Sequence, residues 1–392
     1  MDEDEQLRDL MLAVDLPPTG ADIGLAKATG RQRARRRTIV AGAAAMLVVV
    51  SGTGYFALGG IRQGVGPQAQ AGQAQEGPVA GCSVDILDAP AGGSAEATAV
   101  DPTGRTIVGT VRTAAGQSNA VRFEGGRAVP YAGAAGTVVA INANGLLIGY
   151  DDVDQASHML GWTYHNGKKS MLAKLDGYDY VFPTAVNSRG DVVGAAMGDA
   201  NDDTVPVLWP ADKPGTVRTL AMPAGFGTPN TGGSQAVGVA EDGTVVGVAR
   251  GAPIRWTPDG TPSALPTPAG DRYGAPSALR GHYAYGSVNA NDENRNVAVR
   301  WDLGSGVMKV LEGAPYDVAD GTPGGWSITM GGDYREPTRI TPDGTVEKLP
   351  LPRGMLPAPK GTGVIAHSIS DDGATITGAT WGDQRRPVIW HC

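Results

Sequence analysis

The stretch Thr184-Ala-Val-Asn-Ser-Arg-Gly-Asp-Val-Val-Gly194 decides the fold. Small and β-branched residues form a first short strand, a polar turn ends on Gly190, and a second strand closes on Gly194. Val205-Pro-Val-Leu-Trp209 and Thr216-Val-Arg-Thr-Leu220 follow as a third and a fourth strand. A strand-turn-strand pattern this short, with Gly where the turn needs positive φ, predicts antiparallel hairpins with no helix between them.

The unit returns along the chain. Its first half reappears around Gly104 and Gly109, Gly145 and Gly149, Gly243 and Gly247, Gly281 and Gly286, and Gly373 and Gly378, with a decayed copy at Asp317-Val318-Ala319, Gly325 and Gly331. Its second half is a strand ending in an aromatic residue, often Trp, then a turn and a strand closing on Leu. Phe123, Trp162, Trp209, Trp256, Trp301 and Trp390 take the aromatic place, and Ile340 stands there in the sixth unit. Steps of 39 to 53 residues between the second-strand glycines match one blade of a four-stranded propeller. The pairs Thr257-Pro-Asp-Gly-Thr261 and Thr341-Pro-Asp-Gly-Thr345 are strong hairpin signals.

The ends of the repeat region complete one another. After Trp390 the last unit stops at Cys392, one strand short, and Val84-Asp-Ile-Leu-Asp-Ala-Pro90 matches the missing strand. The expected fold is therefore all-β: a seven-bladed β-propeller over residues 82–392, closed by its N-terminal strand and pinned by a Cys82–Cys392 disulfide, with eight blades or an open array as the alternatives. A bridge between the only two cysteines implies an oxidising, extracytoplasmic compartment.

Upstream of Cys82 the chain changes character. Residues 1–37 form a short head in which Leu7, Leu10, Met11 and Val14 make an apolar stripe on a helix of about three turns. Asp2, Glu3, Asp4 and Glu5 suit the positive end of its dipole. Residues 38–61 carry no charge and follow an Arg cluster from Arg31 to Arg37. At 1.5 Å per residue this run spans roughly 36 Å, enough to cross a bilayer with the head kept cytoplasmic. A cleaved signal peptide competes with the anchor, since Ala69-Gln70-Ala71 resembles a cleavage site. Residues 62–81, rich in Gly, Gln, Ala and Pro, read as a flexible spacer.

The run His158-Met-Leu-Gly-Trp162, Asn166-Gly-Lys, Leu172, Leu175 and Ala185-Val-Asn-Ser-Arg-Gly-Asp-Val-Val-Gly194 resembles the HAF-type extracellular repeat. The resemblance extends from Cys82 to the end, with His-Met-Leu in place of the name-giving triplet. It implies a secreted or surface bacterial propeller and supplies no catalytic residues. The Arg-, Ala- and Gly-rich composition, with 8 Lys, is that of a GC-rich genome such as an actinobacterial one. The head and its Arg-flanked span loosely resemble those of membrane proteins that control sigma factors.

A formal net charge of −8 argues against nucleic acid as a partner. The expected partners are membrane lipid through 38–61, an unidentified extracellular ligand, and a cytoplasmic protein at the head. In a propeller the second-to-third-strand loops and the inter-blade connections share one face. That rim predicts ligand-binding residues Asp151, Asp152, Asp199, Asp202, Asp203, Tyr178, Tyr180, Arg272 and Tyr273, an acidic and aromatic set suited to a cation, a sugar or a basic peptide. Solvated loop tips have the same composition. Asp199, Asn201 and Asp203 match a calcium loop only in part, because Thr204 replaces its glycine and Pro210 its glutamate. No histidine spacing indicates a metal and no cofactor motif is present. The leading reading is an anchored binding or sensing protein. The alternative is a surface carbohydrate-active enzyme, hydrolase or lyase, with its site in the central pocket.

Overall fold

The computed structural model describes residues 81–152, 159–198, 204–223, 233–268, 273–290, 295–315, 318–331, 336–355, 363–382 and 384–392. The head, the apolar run 38–61 and the spacer up to residue 80 lie outside them. Among the described residues no helix is long and apolar enough to cross a membrane.

Strand β1 (Ser83–Ile86) comes first, and six complete four-strand units follow. The first unit is β2 (Ser94–Val100), β3 (Ile107–Arg112), β4 (Ser118–Glu124) and β5 (Arg127–Ala135). The second is β6 (Thr137–Ile141), β7 (Leu147–Asp152), β8 (Met159–His165) and β9 (Lys168–Met171). The third is β10 (Tyr180–Val186), β11 (Val192–Met197), β12 (Thr204–Trp209) and β13 (Arg218–Thr219). The fourth is β14 (Gln235–Val239), β15 (Val245–Ala249), β16 (Ala252–Trp256) and β17 (Pro262–Ala264). The fifth is β18 (Gly274–Arg280), β19 (Tyr283–Ala290), β20 (Arg295–Asp302) and β21 (Val307–Val310). The sixth is β22 (Val318–Gly321), β23 (Ser327–Thr329), β24 (Thr338–Ile340) and β25 (Val346–Lys348). The seventh holds β26 (Val364–Ile369), β27 (Thr375–Thr380) and β28 (Pro387–His391), and β1 adds to β28 as its fourth strand. A single parallel pair, Leu160 with Val181, joins the second and third units into one eight-stranded sheet.

β1 runs antiparallel to β28 with Ser83 opposite His391 and Ile86 opposite Val388. Cys82 and Cys392 are bonded across a separation of 310 residues. The first strands touch in succession, β2 with β6, β6 with β10, and on through β14, β18, β22 and β26, which in turn touches β2. Six of the hydrophobic clusters straddle two neighbouring units; one joins Val193 and Leu208 of the third to Val245, Ile254 and Trp256 of the fourth.

Every first strand carries a one-residue bulge at the same level, at Thr98, Val139, Thr184, Val237, Ser277, Ala319 and His367. The bulge explains the glycine that closes the second strand. It turns a first-strand carbonyl into the space a Cβ would occupy: such an atom on Gly109, Gly194 or Gly378 would lie 1.8 to 1.9 Å from the oxygen of Glu96, Phe182 or Ile365. In the sixth unit register puts Thr329, opposite Val318, at this place, and Gly331 lies beyond the strand. The sequence-based assignment of Gly331 is two residues late, because a unit with a short second strand offered no better glycine to align.

A second correction concerns the aromatic position. Trp209, Trp256, Trp301 and Trp390 are buried, and each indole N–H donates to a backbone carbonyl of the preceding unit, at Ala173, Ala221, Pro266 and Pro350, over 2.6 to 2.8 Å. In the second unit this place belongs to Tyr164, opposite Leu147, whose hydroxyl donates to Ala132 O at 3.1 Å. Trp162 sits two residues earlier, opposite Gly149, where a Cβ would come within 2.4 Å of its ring. Tyr164→Phe should therefore lower stability by about 1 kcal/mol in urea unfolding, the worth of one buried hydrogen bond, with little change in packing. A variant as stable as the wild type would remove this bond from the account.

Candidate functional site

The turn between first and second strand is built alike in nearly every unit. Asp101, Asn142, Asn187, Thr322 and Ser370 open it, and each side-chain oxygen accepts a backbone N–H four or five residues on: Arg105, Leu146, Asp191, Trp326 and Thr375. The turn glycine that follows, Gly145 or Gly190 for example, takes positive φ. Asn adds something the others lack. The Asn142 amide also donates to Asn187 O (2.8 Å), and the Asn187 amide to Ala240 O (3.0 Å), linking the second, third and fourth units. Next to this link Ser188 donates to Glu241 through both its N–H and its hydroxyl.

The fifth, sixth and seventh units are linked by charge instead. Arg280 donates to Asp320 through Nε (3.0 Å) and Nη2 (2.8 Å), and Asp320 also accepts from Ser368 Oγ (3.0 Å) and from the N–H groups of Ile369 and Gly321. Asp320 is buried, at 5% exposure, on a first strand where the first to fifth units have Ala or Gly in register. Burial disfavours the charge on Arg280, but the Asp320 carboxylate outweighs it and raises the guanidinium pKa. Nearby, burial pushes the Asp371 carboxyl up; Arg280 opposes the shift, while Asp320, Asp372 and Glu241 add to it. The Asp371 N–H donates to Pro102 O (3.0 Å), joining the seventh unit to the first. Sequence reading missed the Arg280–Asp320 pair, whose members lie 40 residues apart. The signal was present: a carboxylate among small first-strand residues.

Asp191 supports the third unit's turn. Burial opposes its ionisation, but the Ala211 N–H, the Asn187 amide and the Arg189 guanidinium together lower its pKa. A lowered folded-state value means that the ionised carboxylate stabilises the fold above the ordinary carboxyl range and loses that contribution as the pH falls through it. Asp191→Asn should be less stable than the wild type at pH 7, and the gap should shrink below roughly pH 4. Thermal unfolding across pH checks this; a gap independent of pH would refute it.

The predicted rim is only partly described. Asp199, Asp202, Asp203 and Arg272 lie outside the described residues, as do Asn201 and the chain from 291 to 294. Asp152 ends β7 opposite Met159. Asp151 is not a free rim carboxylate: both its oxygens accept from Lys169 Nζ, at 2.6 and 2.7 Å. The same ammonium donates to Ala135 O and lies 5.0 Å from the Trp162 ring centroid. Tyr180 is buried in the core at 6% exposure, in a run where Tyr180, Val181 and Phe182 all join one cluster, and Tyr178 packs half-buried against it. Tyr273 is exposed, at 54%, beside the Arg250-Gly251 turn. Among the described residues no group of three or more His, Cys, Asp or Glu is arranged to hold a metal.

This geometry defines a class, the β-propeller, and comparison with solved structures agrees. The chain is similar to virginiamycin B lyase from Staphylococcus aureus (TM-score 0.51, 14% identity, covering 79% of this chain and 99% of that one). It is also similar to oligogalacturonate lyase from Vibrio parahaemolyticus (TM-score 0.53, 9% identity, 81% and 98% covered). An oligogalacturonate lyase in complex with manganese gives a TM-score of 0.55 at 11% identity, with 81% and 98% covered. At such identities the likeness is one of fold. No protein-family model matches the chain, and neither does any curated protein.

Proposed function

We propose that the protein is a single-pass membrane-anchored, extracytoplasmic propeller of seven blades closed in a ring, serving as a platform for a ligand or partner. The observation that carries this reading is the disulfide-pinned seam between β1 and β28. A bridge of this kind belongs in an oxidising compartment. β28 runs toward the first-to-second-strand turns, so antiparallel β1 begins at that end. Cys82 therefore stands on the turn face, and the opposite rim is the one offered to a ligand. The contact of β26 with β2 supports closure, which removes exposed sheet edges. The head, residues 1–37, reports to a cytoplasmic partner. Among the described carboxylates Asp320, Glu241 and Asp191 are held by protein donors, which suits a scaffold for binding better than an acid/base pair.

Protease treatment of intact cells expressing the full chain tests the placement: the ring should be cut from outside and the head protected. A protected ring would overturn it. Capture of a cytoplasmic partner by the head should be lost on Leu10→Asp.

The second reading is a surface carbohydrate-active enzyme with its site in the central pocket. Its support is the likeness to lyases, one of them acting on oligogalacturonate, together with the raised Asp371 carboxyl near Arg280 and Asp320. Polysaccharide turnover by the wild type that is lost in Asp371→Asn would favour it over binding alone.

A further inference from the structure

On the turn face a cavity of about 600 Å³ opens between the third and fourth units. This volume is within the range of small-molecule sites. Its floor includes the buried side chains of Leu208 and Val239, and Pro258 forms part of a wall. Two arginines line it. Arg189 is held in place by Asp191, which takes Nε and Nη2 at 3.1 and 2.6 Å, yet its side chain remains 52% exposed. Its Nη1 has no partner among the described residues. Arg218, opposite Leu208 on β13, is exposed, and its guanidinium makes no hydrogen bond or ion pair among the described residues. Both guanidiniums reach toward the fourth unit at positions that lack a Cβ. A Cβ on Gly243 would lie 3.3 Å from Arg189 Nη2, and one on Gly260 would lie 3.8 Å from Arg218 Nη1.

Asp191 takes one edge of Arg189, so the free planar fork that matches two carboxylate oxygens at once is that of Arg218, with Arg189 Nη1 beside it. The rest of the lining restricts which carboxylate. Asp242 accepts from the Thr244 N–H and hydroxyl and has lone pairs to spare, and Asp212 is exposed. These acceptors need donors on the ligand and repel a bare anion. Leu208 and Pro258 offer an apolar surface to its carbon skeleton.

We propose that this cavity is a binding site for a small carboxylate bearing hydrogen-bond donors on neighbouring carbons. The hydroxyls of a uronic acid and the amide and ammonium of a short acidic peptide both meet that description. The site lies on the face opposite the predicted rim and is independent of anchoring, so its failure would leave the platform reading standing.

The test is calorimetric titration of the full-length protein with glucuronate, with the dipeptide glycyl-glutamate, with acetate and with inorganic phosphate. Saturable binding of glucuronate or of the dipeptide, at least tenfold tighter than acetate or phosphate, is expected. Whichever of the two binds identifies the source, and binding of both supports the shared chemistry. Arg218→Ala should weaken binding about tenfold or more, the loss of a charged hydrogen-bonding group, and Arg218→Lys should recover part of it. Asp242→Asn provides a second variant should the first fail to fold; it should weaken the donor-bearing ligands and narrow their margin over acetate. Phosphate binding as tightly as the carboxylates, no saturable binding at all, or unchanged affinity in the folded variants would each overturn the assignment.

Discussion

Replacing Cys82 and Cys392 by serine is expected to lower the unfolding free energy by up to about 5 kcal/mol. The bridge spans 310 residues, so without it the unfolded ensemble gains the freedom of a very long loop. In the folded state β1 supplies only four residues to the seventh sheet. What else fastens the seam is local: Leu87 N–H to Pro387 O, Ala95 N–H to Arg385 O, and Arg386 to Leu87 O and Asp88. Cys82, Val84 and Ile86 also pack against the cluster around Trp390. These contacts should keep the variant folded in dilute buffer, with Tm lower by on the order of 10 °C. Intact mass of the oxidised wild type should rise by two hydrogens on reduction. An unshifted Tm in the double variant would mean that β1 holds to β28 without the bridge.

Gly194→Ala should cost about 3 kcal/mol or more, far beyond the usual worth of a strand glycine. The added Cβ would lie 1.8 Å from Phe182 O and 3.0 Å from Pro183 Cα, both of them backbone, so no side chain can move aside. Relief requires flattening the bulge at Thr184, whose hydroxyl donates to Val193 O and across to Ala236 O in the next unit. Gly145→Ala is the control. There the Cβ meets nothing within 4 Å, and the cost is that of positive φ alone, about 1–2 kcal/mol. Urea unfolding of the two variants separates the mechanisms: equal losses would mean that the bulge yields easily.

Much of the architecture is legible along the chain because each unit's signals are local. Turn glycines, alternating apolar residues and the Thr-Pro-Asp-Gly-Thr hairpins act over fewer than ten residues, and they locate the strands, including the odd one at the N terminus. Register is not local. Whether Trp162 or Tyr164 stands opposite the start of the second strand, and whether Thr329 or Gly331 stands opposite Val318, depends on a two-residue shift of register that leaves the buried face unchanged. The site was harder to read for the same reason. Tyr180 and Asp151 have the composition of a rim, and only packing turns one inward and gives the other to Lys169. The Arg280–Asp320 pair and the Arg189–Arg218 cavity join residues from separate turns, strands or units. The sequence by itself determined the repeat and its strands, because those rest on short-range chemistry, and the cysteine pair because the two ends of the repeat region complete one another. The tertiary structure decided which side chains meet across units, because that depends on how neighbouring sheets are stacked.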